Sequence, residues 1–340
     1  MRIGRNVIEF ENTPSIVGWS SVVGKKEGEG PLGKGFDMVI DDPFFGRKTW
    51  EEAESEFQRT AVGILLDKTK YKDSDIDIVY SGDLLNQCSS SAFGLRGYNI
   101  PFCGVYGACS TSVLAMINAA IAVESGLAKR VISSASSHFC SAEKQFRFPL
   151  EYGGQRTPTA QWTVTGAASA LISKKSEKVC PKLKRAIIGK IVDKGVTDAT
   201  NMGAAMAPAA AETIADFLAD TKTVPDDYDI ILTGDLGKVG SELLNELLEK
   251  EFDINIRERH NDTGMMIYYA DRQDVHSGGS GCACCGTVMC SKILNELNDG
   301  TLKNALIVAT GALLSTVSSF QNHSIPSIAH GILIESGKEN

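Results

Sequence analysis

Ser74-Asp75-Ile76-Asp77-Ile78-Val79-Tyr80-Ser81-Gly82-Asp83-Leu84 is echoed by Asp227-Tyr228-Asp229-Ile230-Ile231-Leu232-Thr233-Gly234-Asp235-Leu236. Each copy reads as an acidic lead-in, a buried strand and a turn. After the first come Cys109, an Ala-rich helical pattern and the strand pattern Val131-Ile132-Ser133-Ser134-Ala135. After the second come Ser280-Gly281-Cys282, another small-residue helix and Leu306-Ile307-Val308-Ala309. A strand, a helix and a strand therefore recur in one order in each half. One repeat per half predicts a fused pseudo-dimer of α/β class, not a solenoid. The seam falls near residues 174–186, which gives a first half of 1–180 carrying Cys109 and a second of 181–340 carrying Asp235 and His276.

Cys109 lies in Val105-Tyr106-Gly107-Ala108-Cys109-Ser110-Thr111-Ser112, between a short apolar run and a long helical pattern. That arrangement predicts a thiol in the first turn of a helix. Unpaired N–H groups and the positive helix end favour a thiolate or a bound anion there. Residues 112–127 carry apolar side chains on nearly all sides, and 281–297 begins in the same way. Helices of that kind must be covered all round, so the pattern predicts a helical layer trapped between two sheets. Elsewhere, Ile16–Val23 reads as a buried strand followed by a flexible Gly-rich loop over 24–33, and Thr49 as the cap of a helix from Trp50 to about Lys70.

The chain of 340 residues is 43% hydrophobic and 22% charged, enough to bury one large core or two fused ones. A net charge of −8 without a Lys/Arg cluster argues against a nucleic-acid partner. Met1-Arg2-Ile3-Gly4-Arg5-Asn6 leads into no signal-peptide pattern, and no apolar run is long enough for a membrane span. The nine cysteines lack framework spacing and suggest a reducing compartment.

The two-half pattern resembles the thiolase-like superfamily, whose fold has five layers, αβαβα, built from two βαβαβαββ halves with a nucleophilic Cys opening the buried helix of the first. The resemblance sharpens in Ser136–Arg156, in Gly203–Ala211, in Gly82-Asp83-Leu84-Leu85-Asn86-Gln87-Cys88 and in Gln273-Asp274-Val275-His276. These stretches resemble the stage V sporulation protein AD family of spore-forming Firmicutes. The resemblance implies binding of dipicolinic acid or its calcium chelate for uptake into the developing spore. It also implies work beside other stage V sporulation membrane proteins, a cytoplasmic or peripheral location on the forespore inner membrane, and a homodimer.

Condensing enzymes of this superfamily need the Cys thiolate and two His or Asn side chains to move protons and polarise a thioester carbonyl. Cys109 stands at the nucleophile's position, and His276 resembles the superfamily's Gly-His-Pro turn without its proline. Asp235 replaces a His or Asn after the strand ending at Thr233. The second thiolase Cys, expected near Ala309-Thr310-Gly311, is absent. This degenerate set points to binding without catalysis; the alternative is an active Cys-dependent acyltransferase on acyl-CoA thioesters, with Lys25, Lys26 and Lys34 at a tunnel mouth.

For a planar dianion the expected contacts are the N–H groups at Cys109, Ser110 and Thr111, with His276 on the other carboxylate. Asp235 is the expected contact for any calcium that the ligand brings, with no metal site of the protein's own. Ser134, Ser136 and His138 are added at or just beyond the carboxyl end of a strand. Arg147 and Arg156 in the insertion 138–162 are either carboxylate forks or surface ion pairs. The aromatics Phe146, Phe148, Tyr152 and Trp162 read as a lid or a dimer contact. Cys282, Cys284 and Cys285 read as helix packing, His260 and His323 as surface residues and His330 as a core-edge histidine.

Overall fold

The computed structural model describes residues 1–147 and 156–338, apart from 175 and 177. In the first half the strands are β1 (Ser15–Gly24), β2 (Ile78–Gly82), β3 (Phe102–Gly104), β4 (Arg130–Ser137) and β5 (Gly166–Ser173). In the second they are β6 (Lys182–Ile188), β7 (Ile230–Gly234), β8 (His260–Asp262), β9 (Asn304–Ala312) and β10 (Ser327–Glu335). The first set pairs in the order β3-β2-β4-β5-β1 and the second in the order β8-β7-β9-β10-β6. Both put the second-copy equivalents in the same places, with parallel β2–β4 and β7–β9 pairs and antiparallel closing strands. The ladders meet where Lys182 of β6 faces Ser15 of β1.

The helices that cover and separate the sheets include α1 (Trp50–Thr69), α2 (Ser89–Leu95), α3 (Thr111–Glu124), α4 (Met202–Thr221), α5 (Gly237–Phe252) and α6 (Cys282–Val288), the last running through a π turn into Leu294–Asp299, and a further helix spans Phe139–Arg147. Helix α1 packs on β1, β4 and β5 from outside, and α4 packs on β9 and β10 from the opposite outside. Helices α3 and α6 lie between, α3 against β2 and β4 on one side and β9 and β10 on the other. That stack is the αβαβα fold.

Strand periodicity explains the layering. In β4, Val131 joins the central core with Val113, Met116, Ile117 and Cys285, while Ile132 faces α1 with Val62 and Leu65. Helix α3 is buried on nearly every side because two sheets cover it. Helix α1 starts where expected: the Thr49 hydroxyl accepts the Glu52 N–H at 3.2 Å.

The Gly-rich segment after β1 departs from the expected flexible loop. It holds a helical turn, Lys25–Gly28, and a 3-10 turn, Gly33–Gly35. Its glycines permit close packing, since a Cβ at Gly33 would lie 2.0 Å from the Gly28 carbonyl oxygen. Glu27 is buried there, accepting from the Thr165 N–H and the Tyr268 hydroxyl.

Candidate functional site

The loop from β3 turns sharply into α3. Ala108 adopts a left-handed φ of +50°, and the Gly107 carbonyl accepts both the Ser110 N–H (3.1 Å) and the Ser110 hydroxyl (2.6 Å). The Thr111 N–H and hydroxyl both go to the Ala108 carbonyl. This hydrogen bonding fixes Cys109 just before the helix. It also corrects the expectation that Ser110 and Thr111 offer N–H groups to a ligand, because those donors close the turn.

Cys109 opens onto a small cavity of about 40 Å³, partly continuous with solvent. Its wall is Leu84, Tyr106, Ala108, Ala142, Phe146, Thr163, Met202, Ser280, Ala312 and Leu314. That wall is mostly apolar with a few polar groups from separate elements, the make-up of a small-molecule site. Thr163 and Ser280 sit opposite each other on two short paired strands, Trp162–Thr163 and Gly279–Ser280. Tyr106 is 45% exposed at the cavity, and its phenol, whose ordinary pKa is about 10, is a neutral hydroxyl donor.

Asp235 follows β7 with a left-handed φ of +70° and is fully buried. Its carboxyl lies against the Cys109 and Cys284 thiols and the Gly281 backbone, yet neither oxygen makes a hydrogen bond of ordinary geometry. Burial pushes it well above the usual carboxylate range, and the nearby Asp262 adds to the effect. Asp235 therefore stands behind the thiol, where burial favours its uncharged form, and is not on the cavity wall. That position does not suit the calcium contact expected of it. Asp262 is a structural partner, accepting from the Leu236, Gly237 and Gly264 N–H groups and the Thr233 hydroxyl.

Other expected residues lie elsewhere. His276 has a left-handed φ of +53°, and its Nε2 pairs with Asp274 at 2.8 Å; the member of its segment that reaches the cavity is Ser280. Ser134 and Ser136 face α1. Ser134 bonds to Gln58 and Ser169, and Ser136 to Gln58 and Glu54. His138 is buried, with Nε2 on the Pro43 carbonyl at 2.8 Å and Nδ1 facing the Cys140 N–H. His260 is not a surface residue. It is half-buried against the Thr233 hydroxyl at 2.8 Å, and burial pushes its pKa down to about 4. His330 is buried as expected, with its pKa likewise lowered to about 4 by burial. The side chain of Arg147, and all of Phe148, Tyr152 and Gln155, lie outside the described residues.

Two contributors went unread in the sequence. The Cys282 thiol lies 3.0 Å from the Ala108 carbonyl and so supports the Cys109 turn. Gly311 of β9 packs on the same turn, since a Cβ there would lie 2.2 Å from the Gly107 carbonyl oxygen. Any side chain at this point, a cysteine's included, would press on that turn. Among the described residues no group of three His, Cys, Asp or Glu could hold a metal, and no helix is long and apolar enough to cross a membrane.

A cysteine turn opening a helix between two sheets is the arrangement of the thiolase-like fold. The solved structures bear this out at the level of fold. A 3-oxoacyl-[acyl-carrier-protein] synthase III from Aquifex aeolicus matches 95% of this chain and 99% of its own at 13% identity, with a TM-score of 0.55. A Xanthomonas campestris OleA variant matches 96% of this chain and 99% of its own at 13% identity, with a TM-score of 0.60. The chain belongs to the stage V sporulation protein AD family, whose model matches residues 4–335. Stage V sporulation protein AD of Bacillus subtilis (strain 168) is 42% identical over 332 residues, covering 98% of this chain and 97% of the relative.

Proposed function

We propose that this protein binds dipicolinate, free or as its calcium chelate, in the cavity beside Cys109, on a condensing-enzyme scaffold that no longer catalyses. One observation carries the reading: the group behind the Cys109 thiol is Asp235, a fully buried carboxyl whose two oxygens have no hydrogen-bond partner. Burial favours its uncharged form, a poor base for the thiol proton, and among the described residues no imidazole lines the cavity to serve instead. What the cavity offers instead is recognition. The Tyr106, Thr163 and Ser280 hydroxyls can donate to carboxylates, while Leu84, Phe146, Met202 and Leu314 supply apolar walls for a flat ring. Any calcium stays on the ligand's own carboxylates and on solvent, because Asp235 lies behind the wall. The loaded protein, a homodimer held peripherally at the forespore membrane, hands the ligand to membrane proteins of the same sporulation stage.

The Cys109 thiol on the cavity wall favours one second reading, acyl transfer through that thiol, which belongs in the same test. The experiment is calorimetric titration with dipicolinate, with and without calcium, and with acetyl-CoA. Dipicolinate is expected to bind, and Tyr106→Phe and Cys109→Ala each to weaken it about three- to tenfold. Acylation of Cys109 by acetyl-CoA, with no heat from dipicolinate, would overturn the binding reading.

A further inference from the structure

Residues 274–276 sit beside the cavity and are used by nothing above. Asp274 is gripped there from three directions. The Arg156 guanidinium meets its carboxylate at 3.1 Å and its carbonyl at 2.7 Å, the Lys26 ammonium meets the carbonyl at 3.1 Å, and His276 Nε2 meets the carboxylate at 2.8 Å. We propose that Lys26, Arg156 and His276 form an anion-binding socket which the chain's own Asp274 plugs, and which takes the carboxylate or phosphate group of an incoming ligand in its place.

Several independent features make this a built site. The two cations are fixed against one indole: Lys26 Nζ lies 3.6 Å and Arg156 Cζ 4.6 Å from the Trp162 ring centroid. Phe139 backs that indole in a parallel stack, with 3.7 Å between centroids. The positive charges are thus held close together with little freedom, which is the preorganisation an anion needs. Arg156 is largely buried, and among the described residues its buried Nη1 has no hydrogen-bond partner. The plug is the weakly held element, since the Asp274 side chain is 76% exposed.

Neighbouring acids do not compete for the socket. Glu27 is committed to Tyr268 and Thr165, and Glu29 faces Lys25 at 4.0 Å. Burial and then the adjacent guanidinium lower the Lys26 pKa, the direction expected of a cation pressed beside another. Trp162 precedes Thr163 on one short strand, and Gly279 precedes Ser280 on its partner. The socket therefore adjoins the two short strands that carry Thr163 and Ser280, with the Trp162 side chain on the strand face opposite Thr163. It binds anions whatever the Cys109 cavity takes.

The test follows the emission of Trp162 in full-length protein carrying Trp19→Phe and Trp50→Phe, with calorimetry on the single variants as a second measure. Inorganic phosphate and dipicolinate are titrated at constant ionic strength, because salt screens such contacts. Either anion is expected to change the emission. Asp274→Asn, which removes the plug's charge, is expected to tighten binding about fivefold, and Arg156→Gln to abolish it. Cys109→Ala is expected to leave the phosphate titration unchanged, which separates the socket from the cavity. A response to dipicolinate alone assigns carboxylate ligands, and a response to phosphate assigns phosphate esters. No response to either anion overturns the proposal, as does Asp274→Asn binding no tighter than the parent or Arg156→Gln binding as well.

Discussion

An alanine at position 311 is expected to destabilise the protein by about 3 kcal/mol and to weaken capture of a ligand beside Cys109 about tenfold. The added methyl would stand 2.2 Å from the Gly107 carbonyl oxygen, 3.2 Å from the Ala108 Cβ and 3.3 Å from the Cys109 nitrogen. Two of these atoms are backbone, so no side-chain rotation relieves the clash. The Gly107 carbonyl would have to move, and it holds both Ser110 bonds that start α3. Ala108 is already in the left-handed region, which leaves the turn little room to adapt. The shift would pass to Cys109 and along β9 to Ala312, both on the cavity wall. Gly97→Ala is the control, because nothing lies within 4 Å of a Cβ there, and it should change stability by less than about 0.5 kcal/mol. Urea unfolding and ligand titration of both variants check the claim. A Gly311→Ala protein with the parent's midpoint and affinity would show that the turn is not braced from β9.

This contact illustrates which part of the site was legible. The duplication was, because strand and helix periodicity survive in both halves and dictate the same strand order. The thiol at a helix start was also legible, since Gly-Ala-Cys-Ser before an apolar helix leaves few other geometries. Support from β9 was not, because a glycine inside a buried strand shows nothing of what approaches it. His276 was misplaced for a related reason. Gly278 and Gly279 separate it from Ser280, and glycine constrains the backbone too weakly to reveal which residue of the turn reaches the cavity.

Ser134 and Ser136 failed differently. Alternation along β4 shows that they share a face, but both faces are buried, so the pattern cannot say which one meets the cavity. Of the acids near the start of α1, Glu51, Glu52 and Glu54, the first two stay near the surface, while Glu54, together with Gln58, is fully buried beneath the helix against β4 serines roughly eighty residues away in the chain.

The buried face of α1 sets the second large effect, a loss of stability with rising pH. Glu54 accepts the Ser136 hydroxyl at 3.2 Å and the Ser141 hydroxyl at 2.6 Å. Asp83, after β2, is the charged group facing it, held in turn by the Leu85 and Ser91 N–H groups. Burial first, and then repulsion from Asp83, push Glu54 from 4.5 up to about 8. Between those values the folded protein holds a proton that the unfolded chain has released. Stability must then fall as pH rises through that window, by up to about 1.4 kcal/mol per pH unit for each such proton, and level off above it. Burial raises Glu27, Asp83, Asp235 and Asp262 in the same direction, so the parent slope carries more than one proton. Glu54→Gln removes one of them while keeping the shape, because the serine hydroxyls can turn to meet an amide. The variant is expected to match the parent within about 1 kcal/mol at pH 5 and to exceed it by a few kcal/mol at pH 8.5. Urea midpoints at pH 5, 7 and 8.5 decide the matter. Parallel curves for the two proteins would mean that Glu54 is ionised in the fold and that the serines around it stabilise a charge.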